Sequence, residues 1–327
     1  ENVQTDDGVN LLEFPVPRHH ELDRARYIAT ACAAITKDPD REWYNLGTYR
    51  SQLYDERTIG LQITGGKHGR MHRDRYFAQG KPMKVAIVVG QDPLIYLLGA
   101  SPIPEGISEY DYAGGIKGEA IKVIRGKYTG FPIPASAEIV IEGETVPGEV
   151  KEEGPFGEWT GYYCSLPKSR PYVRVKSVMH RNDPILCCAP QHRPIDETVL
   201  LKSVTGSAAI WEALDRADIP EVRGVWQHPA GLGVRFLVVS VKQRYHGHAR
   251  QVLHVASSAS QAAAYNGKWV IVVDDDIDPS DIDQVMWAIT TRFDPVDDID
   301  IIRKAWSSGR DPLVLPEEGN YNNRILI

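Results

Sequence analysis

The chain has 327 residues, 42% hydrophobic and 25% charged. At about 150 residues per domain that is room for two domains with sizeable cores, and it excludes disordered, collagen-like and coiled-coil readings. The net charge is −7 with no dominant basic stretch, which argues against a nucleic-acid protein held by phosphate contacts.

No apolar run approaches the ~20 residues of a membrane-crossing helix. The acidic, polar start is unlike a signal peptide. Cys32, Cys164, Cys187 and Cys188 form no C-x-x-C spacing. Adjacent Cys187 and Cys188, in an apolar run, read as buried strand thiols, and a reducing cytoplasm is the natural compartment. The chain opens on Glu1 and stops at Ile327 without a polar tail, the pattern of a piece of something longer.

In chain order, the first ten residues read as a linker, and Leu11–Val16 as a short apolar segment running along a surface into the body. Arg26–Ile35 is a strand and Thr58–Ile63 its partner, with the turn-rich stretch Asp38–Arg50 between them. A charged helix spans His68–Gln79. Lys84–Val89 is a strand buried on both faces. Pro93–Leu98 is a short helix and Ser101–Gly106 a stiff Pro/Gly loop. Glu119–Ile124 and Ala137–Ile141 alternate as strands, and Tyr172–His180 with Pro184–Cys188 reads as a hairpin. Many short strands and few helices up to Ala189 imply an antiparallel barrel or sandwich.

The pattern then changes. Asp196–Ala217 reads as a long helix with an apolar face of Val199, Leu200, Val204, Ile210 and Leu214. Val222–Trp226, Arg235–Val241 and Trp269–Val273 are strands; His248–Tyr265 and Ser280–Thr291 are helices. This alternation indicates an α/β layer, with the boundary near 190–197.

Three constellations carry possible chemistry. In Glu153-Gly-Pro-Phe-Gly-Glu158 two carboxylates flank a tight turn, which suits one acid and one base near neutral pH; a solvated acidic turn is the plainer reading. Asn45-Leu-Gly-Thr-Tyr-Arg50 ends in an arginine able to clamp a carboxylate, or one that lies on the surface beside a strand. Asn45, His68 and Glu119 have the donor types for a hard to borderline divalent ion, though nothing in their spacing brings them together. His246 and His248, near Arg244 and Arg250, could hold a phosphate at a helix start or cap a solvated turn. Asp274–Asp276 could bind a cation or face water. Walker, G-x-G-x-x-G, H-E-x-x-H and G-x-S-x-G motifs are missing from the sequence.

These residues resemble those of the UbiD family of prenylated-flavin-dependent (de)carboxylases, aromatic-acid type. The likeness runs from Phe14-Pro-Val-Pro17 to Asn322-Asn-Arg324. Its marks include Asn45–Arg50, His68, Ser101-Pro-Ile-Pro-Glu-Gly106, Gly118-Glu119, Glu153–Glu158, Asp196-Glu-Thr198, Gly247-His-Ala-Arg-Gln251, Asp274–Asp278 and Trp287–Arg292. The resemblance implies an α+β chain: a linker over 1–25, a split β-barrel binding cofactor and metal over 26–192, and an α/β domain over 193–327. The family's N-terminal α/β domain and a C-terminal helical segment would lie outside this chain.

It further implies Arg50, Glu153 and Glu158 as the catalytic network, with Glu158 donating a proton and Arg50 orienting the substrate carboxylate. Asn45, His68 and Glu119 would ligate Mn2+ or Mg2+, with K+ nearby. Prenylated FMN would lie along Asn45, Gly47, Thr48, Tyr49, Arg50, Lys67, His68, Ala100, Ser101, Glu119 and Arg250. Lys202, Arg292 and Phe293 fall at substrate-pocket positions; Lys202 could hold a phenol or a second anionic group, or be a solvated helix lysine. The implied partners are an aromatic or heteroaryl carboxylic acid, CO2, a prenyl-flavin synthase supplying the cofactor, and further copies of the chain in a homodimer or larger assembly. The rival readings are a non-catalytic flavin- or partner-binding subunit of a multi-subunit carboxylase, and a metal-dependent hydrolase on another fold.

Overall fold

A computed structural model describes residues 2–164, 167–193, 196–259, 267–307, 309–314 and 321–327. By their internal contacts the residues fall into two units, 1–157 with 165–190, and 158–164 with 191–327.

The strands of the first unit are β1 (Asn2–Thr5), β2 (Tyr27–Ala29), β3 (Cys32–Lys37), β4 (Tyr44–Gly47), β5 (Ser51–Asp55), β6 (Thr58–Gly60), β7 (Met83–Val89), β8 (Val123–Arg125), β9 (Pro132–Pro134), β10 (Ile139–Thr145), β11 (Val150–Glu153) and β12 (Lys168–His180). Ten of them form one antiparallel, curled half-barrel sheet in the order β2-β5-β6-β12-β10-β7-β3-β4, with β1 and β11 also paired to β12. Its helices are α1 (His68–Ala78), α2 (Pro93–Ala100) and α3 (Glu109–Lys117).

Strand alternation sends residues to two cores. Cys32, Ala34, Val85, Ile87, Val89, Ile139 and Ile141 meet Val173, Val175 and the incoming Leu11 and Phe14 on one face. Ala33, Ile35, Ala86, Val88 and Val140 pack on the other against Ile95 and Leu98 of α2 and Ala113 of α3. Each large apolar side chain buried this way contributes roughly 1.5–3 kcal/mol. Burial on both faces is why β7 reads as an unbroken apolar run.

The second unit comprises α4 (Glu197–Arg216), β13 (Val222–Gln227), β14 (Phe236–Val241), α5 (His248–Ser258), β15 (Trp269–Asp274), α6 (Ile282–Arg292), β16 (Asp300–Trp306) and β17 (Tyr321–Leu326). Its sheet runs β13-β14-β15-β17-β16. The central β14, β15 and β17 are parallel, which requires crossovers such as α5 and α6. Asp196 caps α4 by accepting from Val199 N–H at 2.8 Å. Among the described residues no helix is long and apolar enough to cross a membrane.

Several expectations need correction. The supposed linker contains β1, paired with β12. Arg26–Ile35 is broken into β2 and the start of β3, and β6 pairs with β5 and β12 rather than with β3. The turn-rich Asp38–Arg50 holds β4, hydrogen-bonded to β3. Only Val123–Arg125 of the strand expected at Glu119–Ile124 forms. Helix α3 went unread because Gly114 and Gly115 lower helix propensity. Ser108 caps it, acids fill its first turn and Gly118 closes it at φ 71°, the signals that identify it. Pro184–Cys188 is not a strand, since β12 pairs with β1, β6, β10 and β11. Cys187 is exposed rather than buried, and all four cysteines are free thiols. On α4, Val199, Ile210 and Leu214 are buried, whereas Leu200 and Val204 are exposed. The helix expected to Tyr265 is α5, ending at Ser258; residues 260–266 lie outside the described residues.

Register shifts at Glu142/Gly143 in the β10–β12 pairing. A Cβ on Gly143 would stand 2.2 Å from the Arg174 carbonyl oxygen and 2.7 Å from a Val173 methyl. Gly143→Ala is therefore expected to destabilise the protein by about 1–3 kcal/mol. The denaturant midpoint should fall relative to a Gly65→Ala control, whose Cβ meets nothing within 4 Å.

Candidate active site

The end of β4 gathers the first group of residues. The hairpin with β3 buries Asn45. The Tyr49 ring fills space left by two glycines: a Cβ on Gly47 or Gly69 would come within 2.2 or 2.7 Å of it. The Tyr49 hydroxyl accepts from Asn45 Nδ2 at 3.4 Å and from Gly69 N–H at 3.2 Å. Asn45 is thereby tied to the first turn of α1, where Lys67 precedes the helix and His68 opens it. Thr48 N–H donates to Gly99 O at 3.2 Å, beside Ala100 and Ser101 at the end of α2. Trp43 stands edge-to-face with both His68 (5.0 Å) and His72 (4.7 Å). Burial lowers the pKa of His68, and it lowers that of His72 to about 4. Both rings are thus neutral at pH 7, and neutral imidazole is the form that ligates a metal.

Glu119 does not join this group; it is exposed beyond the end of α3. The carboxylate beside Asn45 is Glu109, 3% exposed, whose Oε2 accepts from Leu46 N–H at 2.7 Å. Burial pushes the Glu109 carboxyl up to about 7. Among the described residues no cation forms an ion pair with it. A buried carboxylate met only by the charge of Lys67 is costly, and, held by the residue next to Asn45, it has the donor type for a divalent ion. Among the described residues no three His, Cys, Asp or Glu side chains cluster as a metal site; the Asn45, His68 and Glu109 set includes an amide. The signal overlooked in the sequence was Ser108-Glu109, a cap followed by an acid.

The second group is built on β5 and β11. Arg50 donates through Nε to Glu153 Oε1 (2.8 Å) and through Nη2 to Oε2 (3.1 Å). The side chains of this bidentate pair are 10% and 4% exposed. The Arg50 guanidinium lies 4.7 Å over the Phe156 ring, which also packs on Tyr27 at 4.5 Å. The Tyr27 hydroxyl points at Glu153 Oε1 (3.2 Å) and Gln52 Oε1 (3.3 Å). Burial first and the Glu153 charge second raise its pKa, so it stays a donor. Gly154, at φ 86°, turns the chain and donates to Gln52. Buried Asp23 then accepts from Gly157 N–H at 2.7 Å, and a Cβ on Gly157 would collide with the His20 ring. The Gly-Pro-Phe-Gly spacing is thus a packed turn, not a solvated one.

Glu158 belongs to the second unit. Its carboxylate is 2% exposed and accepts from Arg310 Nε at 3.1 Å. Trp159 follows it, with Lys202 of α4 at 5.5 Å and Arg235 at 5.4 Å from the ring. Arg250, Arg292 and Phe293 line a separate cleft of about 200 Å3 at the carboxyl ends of β14 and β15. There Arg292 pairs with Asp274 (3.2 Å) and Asp276 (2.6 Å), and Arg250 lies 3.7 Å from Asp300.

Comparison with known proteins gives this geometry its context. A family model described as the 3-octaprenyl-4-hydroxybenzoate carboxy-lyase Rift-related domain (UbiD) matches residues 1–194, and one for the C-terminal domain of the same carboxy-lyase matches 199–327. The structure is similar to vanillic acid decarboxylase of Sedimentibacter hydroxybenzoicus in its closed form, with TM-score 0.89, 30% identity, and coverage of 100% of this chain and 68% of that one. The UbiD-class enzyme HmfF of Pelotomaculum thermopropionicum, in complex with FMN, matches with TM-score 0.88 and 27% identity, over 100% of this chain and 71% of that chain. Apo 3,4-dihydroxybenzoic acid decarboxylase (AroY) of Klebsiella pneumoniae matches with TM-score 0.84 and 26% identity, over 100% and 70%. With both halves matched in order, the chain belongs to the UbiD family of (de)carboxylases.

Proposed function

We propose that this chain catalyses the reversible, non-oxidative decarboxylation of an aromatic or other unsaturated carboxylic acid with prenylated FMN. The observation that carries the reading is the buried, bidentate Arg50–Glu153 pair, five residues before a second buried carboxylate, Glu158. When bound, prenylated FMN supplies the electron sink for the pair left behind as CO2 departs. Arg50, its plane fixed by Glu153 and Phe156, orients the substrate carboxylate. Glu158 delivers a proton to the carbon that loses CO2, and in the reverse direction removes it. Asn45 and His68, with Glu109 in place of Glu119, hold Mn2+ or Mg2+ for the cofactor phosphate. K+ and a prenyl-flavin synthase as cofactor supplier belong to the same reading. So does a homodimer or larger assembly, for which Met286 and Trp287 on α6 offer exposed apolar surface. A non-catalytic flavin-binding subunit would have no need for two buried carboxylates with arginine partners.

The test is co-expression with a prenyl-flavin synthase, followed by visible spectroscopy and CO2 release from a panel of aromatic acids. A bound flavin and turnover are expected; a protein that takes up no flavin overturns the proposal. Glu158→Gln should keep the flavin spectrum and lose about 10²–10⁴-fold in turnover, the range typical of a general acid.

Glu109 gives a pH signature. Its folded pKa of about 7 lies above the ordinary 4.5, so its contribution is fully present below pH ~4.5 and is lost as pH rises through ~7. The metal-free protein should lose up to about 3 kcal/mol across that window. Glu109→Gln should flatten the profile of melting temperature against pH, and Mn2+ should stabilise the parent at pH 8 far more than the variant. Superimposable profiles would remove Glu109 from this role.

A further inference from the structure

The turn that carries Glu153 and leads into Glu158 is gripped by one short segment, residues 17–27. That segment is closed on itself. Tyr27 N–H donates to Pro17 O at 3.0 Å, Asp23 N–H to His20 O at 3.1 Å, and Arg18 Nε to Asp23 O at 2.6 Å. Each grip on the turn comes from a different residue. Arg24 pairs with Glu152, and its N–H donates to Pro155 O at 3.2 Å. The Tyr27 hydroxyl donates to Glu153 at 3.2 Å. The rings of His20 and Tyr27 stand 5.8 and 4.5 Å from that of Phe156.

Asp23 joins the segment to the far end of the turn. Its side chain is fully buried, at 0% exposure. One oxygen accepts from Gly157 N–H at 2.7 Å. The other accepts from His20 N–H at 3.0 Å and lies 3.2 Å from His20 Nδ1. A carboxylate only accepts, so Nδ1 carries the proton of that imidazole. The ring held this way fills the space over Gly157, where a Cβ would stand 2.5 Å from Nδ1. The Gly157 peptide is therefore pinned by a hydrogen bond and by a ring, one residue before Glu158. Apolar packing could close such a turn without burying a charge, which is costly. What the carboxylate adds is direction, because a charge-assisted bond to one N–H orients the whole peptide plane.

We propose that Asp23 is a positioning residue for the reaction: through Gly157 N–H it orients the peptide from which Glu158 departs, while Tyr27 of the same segment aims at Glu153. The proposal rests on the decarboxylase reading for the role of Glu158. A misplacement of about 1 Å near the reacting atoms can cost about 100-fold in rate, so a carboxylate that never meets substrate can still govern turnover.

The test compares the parent with Asp23→Ala and Asp23→Asn, each as the flavin-loaded full chain, on the best acid of the aromatic panel. Asp23→Ala should lower kcat about tenfold or more, with KM and bound flavin held within about twofold. Hydrogen–deuterium exchange of the 153–158 peptide should speed up, while exchange of the β10 strand Ile139–Thr145 stays as in the parent. Asp23→Asn keeps one oxygen, enough for Gly157 or for His20 but not both, and its kcat should fall between the two. If the alanine variant fails to fold, the asparagine variant decides, and turnover equal to the parent's overturns the proposal. So does an exchange rate of the 153–158 peptide that neither variant changes. Loss of flavin or a rise in KM in step with the loss of kcat makes Asp23 merely structural and also overturns it. A parent that turns over beside an equally fast alanine variant sinks the role of Asp23 alone. A parent that takes up no flavin and turns over no acid sinks the decarboxylase reading, and the positioning role falls with it.

Discussion

A guanidinium and a carboxylate taken out of water together, Arg50 and Glu153, set the terms for the first unit. Removing one partner would strand the other charge, at a cost of about 3–5 kcal/mol. The surroundings are arranged so that neither is stranded. Phe156 supports the guanidinium face, Tyr27 aims its hydroxyl at the carboxylate, and Gln52 holds the turn at Gly154. Asp23, far earlier in the chain, fixes the other end of the turn at Gly157. Segments remote in sequence thus converge on one ion pair, and Gly157 must be glycine because the His20 ring occupies the space of a side chain.

The metal-type group obeys a different electrostatic rule. Burial keeps His68 and His72 neutral and raises the Glu109 carboxyl. Neutral imidazole, a buried amide and a carboxylate met only by the charge of Lys67 are donor types that favour an incoming cation. In the second unit one buried carboxylate, Asp311, is divided between Arg235 and Lys268.

Much of this was legible in the sequence wherever one local rule governed. Val85–Val89, the apolar part of the strand read at Lys84–Val89, is buried throughout, and Asp196 before an apolar period reads as the start of a helix. Arg50, Glu153 and Glu158 were visible as types and spacing, and the family likeness joined them. Elsewhere long-range pairing overrode local composition. Residues 2–5 are polar and became a strand because β12 offers them an edge. Tyr44–Gly47, inside a turn-rich stretch, became one because β3 did. Glu119 and Glu109 bracket the same helix, and only folding decides which end is buried. Arg235 reads in sequence as the first residue of a strand; that it shares Asp311 with Lys268 emerges only from packing.

The path of the chain carries a consequence of its own. Residues 158–164 belong to the second unit, while 165–190 return to the first. No single cut can release either unit whole: a fragment ending at 190 would contain Glu158 and lack both α4 and Arg310, which accounts for the ion pair of that carboxylate. During synthesis Glu158 leaves the ribosome 152 residues before its arginine. That ion pair therefore cannot form until α4, α5, α6 and β16, which all precede Arg310 in the chain, have been made.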